Sequence, residues 1–230
     1  CNCTLKRGKN FTETRKYALA PFIESLANYD LQFAYFAPRT DRIRPYVKFG
    51  LATGGYRTDN TSVDLKNETV NFGLGLILNT SSQIRASLNF FEFQKENNWE
   101  VFQRDNLFGY FDKKMISSGL DIDWFPGNNQ EFRLKAFVYA IKANNSRAFE
   151  VNPSGYMSSS NINVNDFQLS EIAFQIRYKY EFSPLSNLYV VYTRGGKSSG
   201  ELQDSFDGLY ANAWNKQTLD KLTVKIRYKF

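Results

Sequence analysis

The chain has 230 residues, a formal net charge of +6 and 42% hydrophobic residues, including 21 Phe, 14 Tyr and 3 Trp, yet its mean hydropathy is −0.47. Such aromatic content excludes a disordered chain, and the lack of any run of about 20 apolar residues excludes helical membrane spans. With no His, Ser-His-Asp and Cys-His nucleophilic arrangements and His-containing zinc sites are also excluded, which leaves carboxylate-pair chemistry, carboxylate-bound Ca²⁺ or Mg²⁺, or no catalysis; neither an enzymatic role nor a cofactor or metal is expected.

Residues 1–12 read as an N-terminal lead-in. Cys1 and Cys3 are the only thiols, and one intervening residue makes a bridge between them awkward. A start at Cys1 fits either a lipoprotein processed at that residue or, preferably, numbering that begins partway along a longer chain. Residues 13–230 read as a single all-β domain, because two-residue alternation of apolar and polar side chains recurs along them. It is weak from Tyr17 to Ile23, Tyr29 to Tyr35 and Ile43 to Leu51, then clear in Val70, Phe72, Leu74, Leu76 and Leu78. Ile84 to Phe90 is weaker again. Ile116, Leu120, Ile122 and Trp124 alternate with Ser117, Gly119, Asp121 and Asp123, and Phe132, Leu134, Ala136 and Val138 with Arg133 and Lys135. Ile172 to Phe182 sets six apolar residues against Glu171, Gln175, Arg177, Lys179 and Glu181. Leu188 to Tyr192 precedes the strictest case, in which Leu222, Val224, Ile226, Tyr228 and Phe230 alternate with Lys221, Thr223, Lys225, Arg227 and Lys229. The total is about ten strands, and no sustained 3.6-residue period competes with them.

Tight links are expected at 79–81, 126–129 and 183–186, and long polar loops at 57–67, 95–113, 143–166 and 197–218. Short turns at one end and long loops at the other are the form of an antiparallel transmembrane β-barrel of a bacterial outer membrane, with the short turns in the periplasm. Ten strands would either close alone or form part of a larger barrel. Tyr35, Phe36, Trp124, Phe125, Tyr180, Phe182, Tyr228 and Phe230 sit where strands meet short turns or the chain end, as a membrane-interface girdle requires. A soluble β-sandwich with aromatic core positions is the alternative.

The strand phases assign a lumen face to the basic residues Lys16, Arg44, Lys48, Arg85, Arg133, Lys135, Arg177, Lys179, Lys221, Lys225, Arg227 and Lys229 and to the acidic residues Glu24, Asp30, Asp121, Asp123, Glu131, Glu171 and Glu181. A basic lumen points to a porin-like channel favouring anionic solutes. A plugged interior of cross-strand ion pairs points instead to a structural barrel, anchoring an extracellular or periplasmic module or joining a multi-protein complex. Asp121 and Asp123, on one strand face, are candidates for an acid–base pair or a cation site, and equally for neutralising lumen cations. The strand-alternating cations give no nucleic-acid signature.

Tyr228-Lys229-Phe230, closing an alternating strand, resembles the C-terminal signal read by the outer-membrane barrel-assembly machinery. The stretch from Ile176 through Ser183-Pro184-Leu185-Ser186 to Arg194, with Ile43-Arg44-Pro45-Tyr46-Val47, resembles a family of large Gram-negative outer-membrane proteins. Those proteins carry a sugar-binding-like β-sandwich module (carbohydrate-binding family nine-like) first and a barrel of unassigned function last. The resemblance implies outer-membrane lipid as surroundings, the assembly machinery as a partner and such a module or other outer-membrane proteins as further partners. It brings no catalytic residues.

Overall fold

A computed structural model describes residues 2–8, 12–13, 22–23, 26–39, 42–59, 65–79, 83–202 and 205–229. In chain order the elements are β1 (Asn2–Gly8), β2 (Thr12–Glu13), β3 (Phe22–Ile23), β4 (Asn28–Phe36), β5 (Ile43–Tyr56), β6 (Leu65–Asn79) and β7 (Ile84–Arg104). They continue with β8 (Leu107–Gly127), β9 (Gln130–Val151), β10 (Met157–Ser160), β11 (Phe167–Ser183), β12 (Ser186–Gly200), α1 (Phe206–Asn215) and β13 (Gln217–Arg227). One antiparallel sheet takes the order β1-β4-β5-β6-β7-β8-β9-β11-β12-β13, with β10 added to β9. Each strand pairs with its sequence neighbour except where the short β2–β3 hairpin and β10 are passed over. Among the described residues no pairing joins β1 to β13, and no helix is long and apolar enough to cross a membrane.

Two of the three tight links fall where the sequence places them, and the one expected at 79–81 lies outside the described residues beyond Asn79. Asn128 and Asn129 turn β8 into β9, and Pro184 and Leu185 turn β11 into β12, with Leu185 in the left-handed region at φ 64°. These turns lie at one end of the sheet, the short-turn end, with the last residues of β4, β6 and β13 and the first residues of β5 and β7.

The opposite end differs from expectation. Much of 95–113 and 143–166 is strand: β7 runs to Arg104, a two-residue turn with Asp105 at φ 49° follows, β8 begins at Leu107 and β9 reaches Val151. Around Glu96 and Lys113 both faces carry polar residues, so the hydrophobic period lapses there while the backbone ladder continues. The 197–218 stretch contains α1. Ser205 caps it, its Oγ accepting from the Gly208 N–H at 3.2 Å, and Phe206, Leu209, Tyr210, Ala213 and Trp214 follow at helical spacing, with Leu209 and Ala213 buried. That pattern of three- and four-residue steps was available in the sequence. Asn2–Gly8, within the stretch read as a lead-in, pairs with β4, whereas of the Tyr17–Ile23 strand only β3 lies within the described residues.

Two local devices hold the sheet in phase. At Leu74/Gly75 against Asn89 and Phe91 the β6–β7 register shifts, leaving Phe90 as an extra residue of β7, 55% exposed. The sequence also changes phase there, since Arg85, Ser87 and Asn89 precede Phe90 while Glu92, Gln94 and Glu96 follow it. The bulge absorbs the odd residue, so both polar sets stay on one face. On the same face the ring of Tyr46 lies over Gly75: a Cβ there would come within 2.1 Å of the ring, so only glycine admits it.

Away from the short-turn end, Leu65, Phe108, Tyr110, Val151 and Met157 form a small core, with Tyr56 and Phe149 packed against it. The Asp59 N–H donates to the Met157 carbonyl at 3.1 Å and the Ser158 hydroxyl to Asp59 at 2.6 Å, tying the β5–β6 connection to the β9–β10 hairpin across two intervening strands.

Deletion of Phe90 is expected to leave folding intact, because it removes the bulge and keeps both faces. Deletion of Leu76, in unbulged β6, inverts the faces of the rest of that strand and is expected to abolish folding. The folded fraction in detergent, read from heat-dependent electrophoretic mobility, compares the two.

Candidate functional site

Side chains directly opposite in an antiparallel ladder share a face, so the register assigns faces without reference to any contact. Arg85 on β7 opposes Asp123 on β8, which opposes Arg133 on β9, which opposes Arg177 on β11. One step along, Ser87, Asp121, Lys135 and Gln175 form the next row. Followed outward, the same face carries Arg44 and Lys48 on β5, Glu171, Lys179 and Glu181 on β11, and Lys225 and Arg227 on β13. These thirteen ionisable residues, with Asp30, Glu131 and Lys221, thus share one face, while Lys16 and Glu24 lie outside the described residues.

Their charges meet across strands. Lys135 Nζ lies 2.8 Å from Asp121 Oδ2, and Arg133 Nε lies 3.5 Å from Asp123 Oδ1 and also contacts Glu131. Glu171 accepts from the Tyr139 hydroxyl and lies 3.9 Å from Lys197 Nζ. Asp121 and Asp123 each face a cation rather than each other, which is the charge-neutralising arrangement. Arg177 Nη2 donates to Gln175 Oε1 at 3.2 Å, which steadies it against the like charge of Arg133 opposite. On β13 the cations have uncharged residues opposite them: Lys221 faces Thr193, Lys225 faces Tyr189 and Arg227 faces Asn187. The polar face is therefore divided into a sector of paired charges on β8 and β9 and a cationic sector toward β13.

The sequence reading missed the least exposed ion pair of this face, because it treated residues 95–113 as loop. Lys113 Nζ lies 2.5 Å from Glu96 Oε2, with the two side chains only 9% and 12% exposed, and Asn67 Nδ2 donates to Glu96 Oε1 at 2.6 Å. The same ammonium sits 4.7 Å from the centroid of Trp99, which forms an aromatic group with Phe111 and Phe167. The signal was present, since Glu92, Gln94 and Glu96 continue the alternation begun by Phe91 and Phe93.

The other face is apolar and uncovered over most of the sheet. Leu31, Phe33, Phe49, Leu51, Val70, Leu74, Leu222, Val224 and Ile226 are among its exposed residues. Of the girdle aromatics, Tyr35 and Trp124 are exposed on this face near the short-turn end, Tyr180 shares it by register, and Phe182 stacks on Tyr228 at 6.3 Å. Phe230 lies outside the described residues. Phe36 is a correction: it opposes Tyr46 on the polar face, the two rings stacked at 5.3 Å, because it is one residue out of phase with Tyr35.

Removing one partner of a buried ion pair strands the other charge, whereas an exposed pair contributes little. Glu96→Ala is expected to cost about 3 kcal/mol or more, and Asp121→Ala about 1 kcal/mol or less. Midpoints of denaturant unfolding in detergent measure both.

The model of a family described as Domain of unknown function (DUF5916) matches residues 19–230, and the chain belongs to that family. No curated protein matches the sequence. Among solved structures, the copper transporter OprC is similar over 89% of this chain and 33% of its own, at 10% identity and a TM-score of 0.45; the chain spans about a third of that protein's length.

Proposed function

We propose that this DUF5916 chain spans a bacterial outer membrane as an antiparallel β-barrel, or as a portion of a larger one, and that its charged face lines a porin-like channel favouring anionic solutes. One observation carries the reading: across the paired strands from β4 to β13 the register separates a charged face from an apolar face that, among the described residues, nothing covers over most of its area. Soluble monomers rarely leave contiguous apolar patches beyond a few hundred Å² uncovered, and lipid is the solvent in which such a face is stable. In lipid every backbone N–H and C=O needs a partner, so the reading requires the β1 and β13 edges to be paired, with each other or with further strands. The short-turn end then faces the periplasm, and the assembly machinery is the partner that recognises Tyr228 and Phe230.

The cationic sector supports anion preference. Lys221, Lys225 and Arg227 have no acidic residue opposite them, so their field is not cancelled across the ladder, and a low-dielectric wall concentrates it on passing solutes. No catalytic step is invoked. The charge-paired rows and the Trp99 group, which fill part of the same face, favour a second reading, a closed structural barrel that anchors a module or another outer-membrane protein.

Single-channel recording in planar bilayers separates the two. The channel is expected to conduct with anion selectivity that Lys225→Glu reduces or reverses. Bilayers that stay silent with correctly inserted protein refute the channel and leave the anchor.

A further inference from the structure

The apolar face ends abruptly toward the long-loop end. In one ladder row Phe93, Ile116 and Ala140 stand side by side on β7, β8 and β9; two residues on, the row is Lys95, Lys114 and Lys142. Lys95 directly opposes Lys114, and Lys114 directly opposes Lys142, an arrangement that like-charge repulsion disfavours unless an anion lies among them. Strands about 4.8 Å apart put the three stems within about 10 Å. Neither Lys95 nor Lys114, both exposed, has an ion-pair partner among the described residues. Asp112, the next carboxylate on β8, is engaged by Asn145 at 2.8 Å and Arg147 at 3.8 Å, and Glu68 stands one diagonal step from Lys95.

The height of this row matters. Ten residues of β8 separate Lys114 from Trp124; at about 3.4 Å per residue and a tilt of about 40°, the vertical separation is about 26 Å, the thickness of the apolar band of an outer-membrane barrel. Trp124 then marks one interface and the lysine row the other. Helix α1 lies on this same face, next to the row. Lys142 Nζ is 5.1 Å from the Phe206 centroid, the Ser170 hydroxyl donates to the Leu209 carbonyl at 2.7 Å, and Trp214 stacks on Phe174 and on the guanidinium of Arg194. Aromatic side chains and lysines whose stems cross apolar surface to reach a charged layer are what an interface selects.

We propose that Lys95, Lys114 and Lys142 form a binding site, on the lipid-facing surface, for the phosphate of anionic lipid headgroups in the leaflet at the long-loop end. The proposal rests on the membrane-barrel reading. The occupant is a lipid rather than a free anion because the row borders the apolar face, so a bound phosphate has its acyl chains beside Phe93 and Ile116.

The test uses the full chain reconstituted into phosphatidylcholine vesicles and into vesicles of equal parts phosphatidylcholine and phosphatidic acid, with spin-labelled lipids reporting the first lipid shell. The wild-type protein is expected to prefer phosphatidic acid. The preference is expected to fall about 10-fold or more in the triple variant Lys95→Gln, Lys114→Gln, Lys142→Gln, and to persist in the triple Lys→Arg variant and in Lys225→Gln. Equal preference in wild type and in an inserted triple Gln variant overturns the site, as does a wild-type protein with no preference. A wild-type chain that fails to insert even into phosphatidylcholine refutes the barrel reading itself, and the site with it. If the triple Gln variant does not insert, single substitutions are read instead, and no graded loss among them overturns the site.

Discussion

Strand register is the constraint on which the rest of this structure depends. A strand has only two faces, so a slip of one residue anywhere in the meander would carry an entire set of side chains to the wrong side. Arg85, Asp123, Arg133 and Arg177 form one row only because every pairing from β7 to β11 preserves phase, and the Asp123–Arg133 contact follows from that row. The Phe90 bulge shows how strictly phase is kept, since an additional residue in the sequence is matched by an additional residue in the backbone.

The middle of each strand was legible from the sequence because burial on one side and charge on the other impose a period of two. Val70 to Leu78, Ile116 to Trp124, Phe132 to Val138 and Leu222 to Ile226 could be phased directly, and with them Asp121, Lys135 and Lys225. Legibility failed where that asymmetry ends. Near Glu96 and Lys113 both faces are polar, so the strands continue without a hydrophobic signature, and the least exposed ion pair of the charged face went unseen. Helix α1 escaped for a different reason: ten residues give one short set of helical repeats, overshadowed by the polar composition around it. Phe36 shows the limit of composition as a guide, since an aromatic near a strand end belongs to a girdle only if its phase agrees.

Phase also decides how the irregular parts attach. Helix α1 docks where the apolar face changes from Ile172 and Phe174 to the smaller Ser170, Gly196 and Ser198; a Cβ on Gly196 would come within 1.9 Å of the Ala213 carbonyl oxygen. The helix therefore occupies a notch cut into the sheet surface. On the other side of the long strands, the tie between Asp59 and the β9–β10 hairpin closes over Phe108 and Tyr110. Both attachments belong to the long-loop end, which leaves the short-turn half of the sheet as the regular, uncovered part.

The edge strand β13 has a consequence for self-association. Leu222, Val224 and Ile226 are more than half exposed, with Leu222 at 65% and Ile226 at 68%, and among the described residues no strand pairs with its outer edge, a template for another strand. Pairing with β13 of a second copy in a face-matched antiparallel register would set Lys221 against Arg227 and crowd Lys225 among them, which like-charge repulsion opposes. A strand bearing carboxylates on the matching face meets no such barrier. The cations of β13 thus make this edge discriminating in its choice of strand, disfavouring its own kind and favouring an acidic neighbour.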